Sequence, residues 1–323
     1  MVRSKGGPGG QRPTGKPRPA HRTDKAPAGR GPGQGRPPGE RADRAPGGAA
    51  KGPAAGRVPS ARPAPSVRPT REPDGLIVGV HATLAVLRHQ PKRVHAVFCW
   101  SRDRDVQLQI AAAVAAAGNA LRDRAQEIGI STQAPLQLRE DHLAQGVAIA
   151  VRPFPHGDLD DITASVAPRP GALILALDGI TDTHNLGAIL RSAAFFDVGG
   201  VLIPSDRAAH VTPTTERIAR GGASVVPVAI VTNLARSLAS LRELGWTIVG
   251  TGLEAGSQDL WSLRRDQAIV LVLGAEDRGL RPLVRRHCDA VVRLDGMPTM
   301  QSLNVSAFTA TALGILRRPG SAG

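Results

Sequence analysis

Residues 177–204 read LDGITDTHNLGAILRSAAFFDVGGVLIP. The stretch begins where an apolar run ends, passes through Asp178, Asp182, Thr183, His184 and Asn185, and resumes with apolar residues at helical spacing. It closes on a second apolar run, GVLIP. A strand, a polar turn, a helix and another strand in that order make a crossover unit, which joins parallel strands. The polar run then sits at the carboxyl end of a buried strand. There it costs burial and needs a reason, especially as Arg191 follows within two helical turns.

The same alternation extends in both directions from this unit. Apolar runs ALILAL, GVLIP, VVPVAIV, WTIVGT, AIVLVLG and AVVRL are predicted strands. Between them NLGAILRSAAFF, PTTERIAR and NLARSLASLREL have helical periodicity, and a last helix is predicted over 305–318. Strands apolar on both faces, alternating with helices, imply an α/β fold whose parallel sheet is covered on both sides. The predicted domain spans 171–318. Ahead of it, GLIVGVHATLAVLRH, VHAVFCW, an Ala-rich helical stretch from Val106 to Gly129 and GVAIAV form a smaller α/β unit over 75–153. Residues 154–170, with Pro155, Pro168, Pro170 and three aspartates, are expected to be a linker.

Charge is distributed unevenly. Of the 41 Lys and Arg and 27 Asp and Glu, residues 1–73 hold 16 and 4, which leaves 25 against 23 for the rest. The first 73 residues also hold 15 of the 27 prolines and few large apolar side chains, so they are expected to be an extended basic tail suited to nucleic-acid phosphates. No apolar segment follows the basic residues as in a secretory signal, and no run reaches membrane-spanning length. Two cysteines, Cys99 and Cys288, are too few for a disulfide framework or a cysteine metal cluster. A cytoplasmic protein is expected, with no membrane partner and no metal.

Ligand sites in parallel sheets lie beyond the carboxyl ends of the strands. Three polar stretches occupy such ends: DGITDTHN, GAEDRGL and DGMPTMQSLN. Taken singly, each could be a capping turn, with Asn185 capping its helix and Gly274 and Gly279 permitting positive φ. Together they gather Asn185, Arg191, Glu276, Ser302 and Asn304 at one edge. Arg191 lies about one and two-thirds turns beyond Asn185, off the apolar face of Leu186, Ile189 and Leu190, where a guanidinium can grip a phosphate or carboxylate. Glu276, between two glycines, can orient Asn185 or Arg191. No nucleophile and base pair or carboxylate dyad is apparent, so the set suits transfer to a hydroxyl from a donor already activated.

LDGITDTHNLGAILRSAAFF, LVLGAEDRGL and QSLNVSAFTA resemble, in order and spacing, the three motifs of the SpoU-type (TrmH-type) RNA 2′-O-ribose methyltransferases. The small unit is similar to the ribosomal-protein-like RNA-binding domain of that family's bacterial large-subunit rRNA guanosine enzymes. The resemblance implies a trefoil-knotted sheet, a homodimer, and S-adenosylmethionine bound among the three loops. It carries the catalytic set onto Asn185, Arg191, Glu276, Ser302 and Asn304, and donor-lining positions onto Gly274, Leu294 and Leu303. The family assigns the arginine to deprotonating the ribose hydroxyl. A guanidinium keeps its proton near neutral pH, so the chemistry leaves base and phosphate clamp both open for Arg191. The second loop departs from commoner members in carrying Asp277 and Arg278 before Gly279.

Five Phe, three Trp and no Tyr leave the body short of stacking platforms, so recognition is expected to rest on RNA shape and phosphates. With the resemblance of the small unit, this favours a guanosine of large-subunit rRNA over tRNA, and the intact Asn185, Arg191, Glu276, Ser302 and Asn304 argue against the remaining alternative, a non-catalytic RNA-binding or ribosome-assembly protein. A chain beginning at Asp74 loses twelve of the fourteen net positive charges and none of the motifs. It is expected to bind the methyl donor as the full chain does, while its RNA affinity falls and its salt dependence flattens. Filter binding across a salt series checks this, and an unchanged slope would show the tail to be a bystander.

Overall fold

The computed structural model describes residues 75–120, 130–135, 138, 140–263, 266–297, 299 and 302–317. The expected basic tail, the second half of the Ala-rich stretch, and Arg318 lie outside the described residues. All described residues belong to one compact unit.

The elements in chain order are β1 (Gly75–Val78), α1 (Val80–His89), β2 (Val94–Cys99), α2 (Arg104–Ala120), β3 (Ile130–Ser131), α3 (Glu140–Leu143) and β4 (Val147–Val151). Then come α4 (Leu159–Ser165), β5 (Leu173–Asp178), α5 (Thr183–Phe195), β6 (Gly200–Pro204), α6 (Pro213–Ile218), α7 (Gly222–Val225), β7 (Val228–Val231) and α8 (Leu234–Glu243). The chain ends with β8 (Thr247–Thr251), β9 (Gln258–Asp259), β10 (Ile269–Gly274), α9 (Pro282–Arg286), β11 (Ala290–Arg293) and α10 (Val305–Arg317).

Seven strands form an all-parallel sheet in the order β7-β6-β5-β10-β8-β11-β9. Successive side chains on a strand face opposite sides, and β5 and β10 use both. Leu173, Leu175 and Leu177 join Ile269, Leu271 and Leu273 in a core that includes Leu186, Ile189, Leu190 and Ala193 of α5 and Leu313 and Leu316 of α10. Ile174, Ala176, Val270 and Val272 face the other way, onto Leu234, Leu238 and Leu241 of α8. The pairing of Leu273 with Leu177 and Gly274 with Asp178 brings the first two polar loops side by side at the sheet's carboxyl edge. There the connections diverge, β6 and β7 going one way and β10, β8 and β11 the other, which is where such sheets place their ligands.

Two details depart from the sequence reading. The alternation of strand and helix is not strict, because β9 and a 3-10 turn over Leu260–Ser262 take the place of a helix between β8 and β10. Val225 and Val226 precede β7 rather than beginning it, since Gly222–Val225 winds into α7. Residues 154–170 are also more than a connection. Gly157 bonds to Val228 and Ile230 backbone at the edge of β7, and α4 begins with a reciprocal cap between Asp158 and Asp161. Ile162 is buried against Gly200, where a Cβ would come within 2.6 Å of it. The aspartates that suggested a solvated linker are in part a helix cap.

The small sheet has the order β1-β4-β2-β3, with β4 antiparallel to both neighbours and β3 added in parallel. Its α1 packs on α7 and its β1 on α6. Two close approaches require glycine: a Cβ on Gly75 would sit 2.7 Å from the Pro213 ring, and one on Gly221 would sit 2.4 Å from Ala85 Cβ. Gly221 also has φ of +96°, a conformation glycine adopts without penalty. At the junction Arg93 donates to Glu216 through both terminal nitrogens, at 2.8 and 3.0 Å, and to the Arg152 carbonyl at 3.0 Å. The two side chains are 7 and 3% exposed, and the guanidinium lies over the Phe154 ring.

Removing one partner of a buried ion pair strands the other charge. Glu216→Gln is therefore expected to cost about 3–5 kcal/mol in denaturant unfolding, while Arg93→Met combined with Glu216→Leu recovers most of it. Nearby, burial, with the positive fields of His210 and Arg93, pushes the His156 imidazole down to about 4. Unfolding releases it to an ordinary value near 6.5, so the unfolded chain binds the extra proton and stability falls as pH drops from about 6.5 towards 4. His156→Gln is expected to flatten that part of the stability profile.

Candidate functional site

The first loop follows from the fate of Asp178 at the end of β5. Its carboxylate is buried, accepts the Arg281 backbone N–H at 2.7 Å, and pairs with the Arg281 guanidinium. The second loop is thereby pinned to the first. Asp182, rather than Asn185, caps α5, accepting the His184 N–H at 2.8 Å. Asn185 is left with its amide directed away from the helix backbone.

The second loop is a tight reversal in which Ala275 and Gly279 exchange backbone hydrogen bonds of 3.2 and 2.8 Å. A Cβ on Gly274 would meet the Gly279 carbonyl carbon at 2.5 Å, and Gly279 has φ of +63°. Only glycine at 274 lets the chain fold back so closely, and the reversal presents Glu276, Asp277 and Arg278 outward. Glu276 Oε1 accepts three N–H groups: Asn185 Nδ2 at 3.1 Å, Asn304 Nδ2 at 2.9 Å and the Val305 backbone at 3.1 Å. Asn304 Nδ2 also donates to Asn185 Oδ1 at 2.9 Å. The other end of Asn304 caps α10, accepting from Ser306 N at 2.9 Å and Ala307 N at 3.3 Å. One carboxylate oxygen thus ties together the starts of α5 and α10 and the loop after β10. Charge-assisted hydrogen bonds of this kind are the stronger class.

Beside the tie lies a cavity of about 440 Å³, within the range of small-molecule sites. Gly274, Leu294 and Leu303 all line it, as do Glu276 and Ser302. Val292 and Phe308 add apolar wall, and Glu254 and Arg285, paired at 2.6 Å, stand at its side. Cys288 is no candidate nucleophile, since burial pushes its thiol up to about 11.

Arg191 is placed elsewhere. Its exposed side chain lines a second cleft with His81, Arg88, His89 and Arg220, and makes no ion pair among the described residues. Of the two partners expected for Glu276, Asn185 has it and Arg191 does not. Sequence reasoning missed Arg281 and Glu254 as site-building residues. Arg281 had a signal, because the buried Asp178 needs a cation and the loop beside it supplies one. Glu254 had none, since its loop carries no charge pattern that separates it from an ordinary turn.

Comparisons with known proteins bear on the family and the fold. The profile of the SpoU rRNA methylase family matches residues 172–315. A 23S rRNA (guanosine-2′-O-)-methyltransferase RlmB of Pseudomonas aeruginosa is 38% identical over 240 residues, covering 73% of this chain and 93% of that one. Its namesake in Escherichia coli is 36% identical over 242 residues, covering 74% of this chain and 96% of the relative. Among solved structures, the SpoU methyltransferase AviRb from Streptomyces viridochromogenes superposes with a TM-score of 0.60 at 23% identity, over 76% of this chain and 89% of that chain. With relatives this similar over nearly their whole length, and with the fold in common, the chain belongs to the SpoU rRNA methylase family.

Proposed function

We propose that the protein is an S-adenosylmethionine-dependent RNA 2′-O-ribose methyltransferase acting on a guanosine of 23S rRNA, as the names of its relatives indicate for them. The observation that carries the reading is the single Glu276 oxygen holding Asn185, Asn304 and the start of α10 at the rim of the cavity. That arrangement sets a cavity with apolar wall next to held polar groups and without a nucleophile, which suits transfer from a donor already activated.

The cavity suits the donor. Leu294, Leu303, Val292 and Phe308 provide apolar surface for a nucleoside base, and the close backbone turn at Gly274 and Gly279 provides a narrow cradle. When bound, S-adenosylmethionine supplies a methyl group activated by its positive sulfur. A ribose 2′-hydroxyl brought to the rim would accept that methyl group and give up its proton to a base. Glu276 Oε1 is fully engaged, but Oε2 makes no hydrogen bond among the described residues and stays available at the rim. Ser302 adds a hydroxyl, and Asn185 and Asn304 hold the rim in shape. Arg191 acts on the RNA side, fixing a phosphate next to the acceptor ribose.

The wider architecture belongs to the same reading. Residues 75–153 serve as the RNA substrate-binding domain, 171–318 as the catalytic domain, and 1–73 as a basic arm. A trefoil knot at the sheet's carboxyl edge fits the hydrogen bonds that hold the start of α10 against the Glu276 loop and Asn185. A homodimer is supported by Met297 and Leu303, large and exposed in that loop beside the cavity. No helix among the described residues is long and apolar enough to cross a membrane, and a cytoplasmic site of action fits an rRNA substrate.

Arg191→Ala is expected to abolish methyl transfer while donor affinity stays within a few-fold, because Arg191 lies outside the donor cavity. Asn304→Ala is expected to weaken both, since it loses the α10 cap and one tie to Glu276 together. Single-turnover assays and calorimetry separate the two. The substrate is tested by offering labelled donor with large-subunit rRNA and bulk tRNA, both from a strain lacking the gene. Label in a ribose hydroxyl of rRNA is expected, and label only in tRNA, or in a base, would end the reading.

A further inference from the structure

We infer that the cleft between α1 and the layer formed by α5 and α7 is the track for the RNA phosphates that flank the acceptor ribose, held by Arg88 and Arg220 beside Arg191. The inference rests on the proposed RNA methyltransferase activity and assigns its substrate groove.

The lining is the first argument. α1 contributes His81, Arg88 and His89, α5 contributes Arg191, and the turn before α7 contributes Arg220. No Asp or Glu lines the cleft. A neighbouring hollow shares His81 and Arg220 and adds Arg217 and His142, which contact each other, again without an acidic residue. From residue 74 onwards as a whole, these arginines included, basic and acidic residues are nearly balanced, 25 against 23. A continuous basic seam with no counter-charge in its walls is therefore a local feature and not an echo of composition. Arg88 and Arg220 are exposed and neither side chain makes an ion pair among the described residues. Such groups attract phosphates by releasing the counterions those phosphates carry.

Backbone conformation at Arg220 is the second argument. It has φ of +48°, and the next residue, Gly221, has +96°. A long side chain in the left-handed region is strained, and such strain persists where its surroundings fix it. Here the fixing contact is α1, whose Ala85 occupies the space a Gly221 Cβ would need. Docking of the small domain thus sets the turn, and the turn carries Arg220 into the cleft opposite Arg88. The aromatic pair Phe195 and Phe196, with ring centroids 5.0 Å apart, lines the same cleft, and Phe195 is 82% exposed. It gives a nucleotide an apolar surface, which the scarcity of aromatics in the sequence did not suggest.

A second copy of this chain is the competing occupant. A two-fold contact centred on the cleft would set the cations of one copy against those of the other, with no acid in either lining to neutralise them. RNA has the charge the cleft lacks.

The test uses the full-length chain carrying Arg88→Gln with Arg220→Asn, asparagine being tolerated at positive φ. Arg236→Gln, on α8 over the opposite face of the sheet, is the control. RNA affinity of the double variant is expected to fall at least five-fold at moderate salt, and the slope of log affinity against log salt to shrink by about 1.4, about 0.7 for each lost single-strand phosphate contact. Arg88→Gln alone is expected to give about half the slope change. Donor affinity by calorimetry and mass by light scattering are expected to stay at wild-type values. Unchanged RNA affinity and slope would overturn the inference, and a drop in mass with RNA binding intact would assign the cleft to a second copy. Failure of the wild-type chain itself to bind RNA would overturn the functional reading, and this one with it.

Discussion

Three loops at the edge of a parallel sheet have no intrinsic reason to converge, and here one carboxylate oxygen makes them do so. Glu276 Oε1 receives N–H groups from the start of α5, the residue capping α10 and the first residue of α10. The donors belong to two segments far from Glu276 in sequence, the asparagines lying 91 and 28 residues away. Without that acceptor, two side-chain amides and a helix N-terminus would each have to find other partners, and the rim of the cavity would lose its common anchor. The second constraint, Asp178 holding Arg281 from beneath, keeps the loop that bears Glu276 in reach.

Around that anchor the protein separates two chemical environments. The cavity beside Glu276 joins leucine, valine and phenylalanine wall to both acidic and basic residues, whereas the cleft at Arg191 is lined by basic residues with no acid. The Arg93–Glu216 pair and the Gly221 contact fix the small domain against α6 and α7, and so set the shape of the basic cleft as well as the stability of the junction.

Much of this was legible in the sequence because periodicity and burial act locally. LILALD and IVLVLG could only be central strands, and the residues at their ends had to lie at a ligand edge. Gly274, Leu294, Leu303, Glu276 and Ser302 meet at one cavity, and Asn185 and Asn304 meet through Glu276. The placement of Arg191 apart from that group was not legible. Its distance from the cavity depends on how α5 packs on α6, α7 and α10, which spacing along one helix does not encode. The cap at Asp158 and Asp161 was hidden for a different reason, as charged residues between prolines resemble a solvated linker unless the buried Ile162 behind them is noticed.

The central claim is that the Glu276 tie builds the donor site. Calorimetric titration of S-adenosylhomocysteine into the full-length chain and into Glu276→Ala tests it most directly. The account predicts one site per wild-type chain and a loss of at least ten-fold in affinity for the variant, about 1.4 kcal/mol or more. No binding by the wild-type chain, or equal binding by the variant, would contradict it.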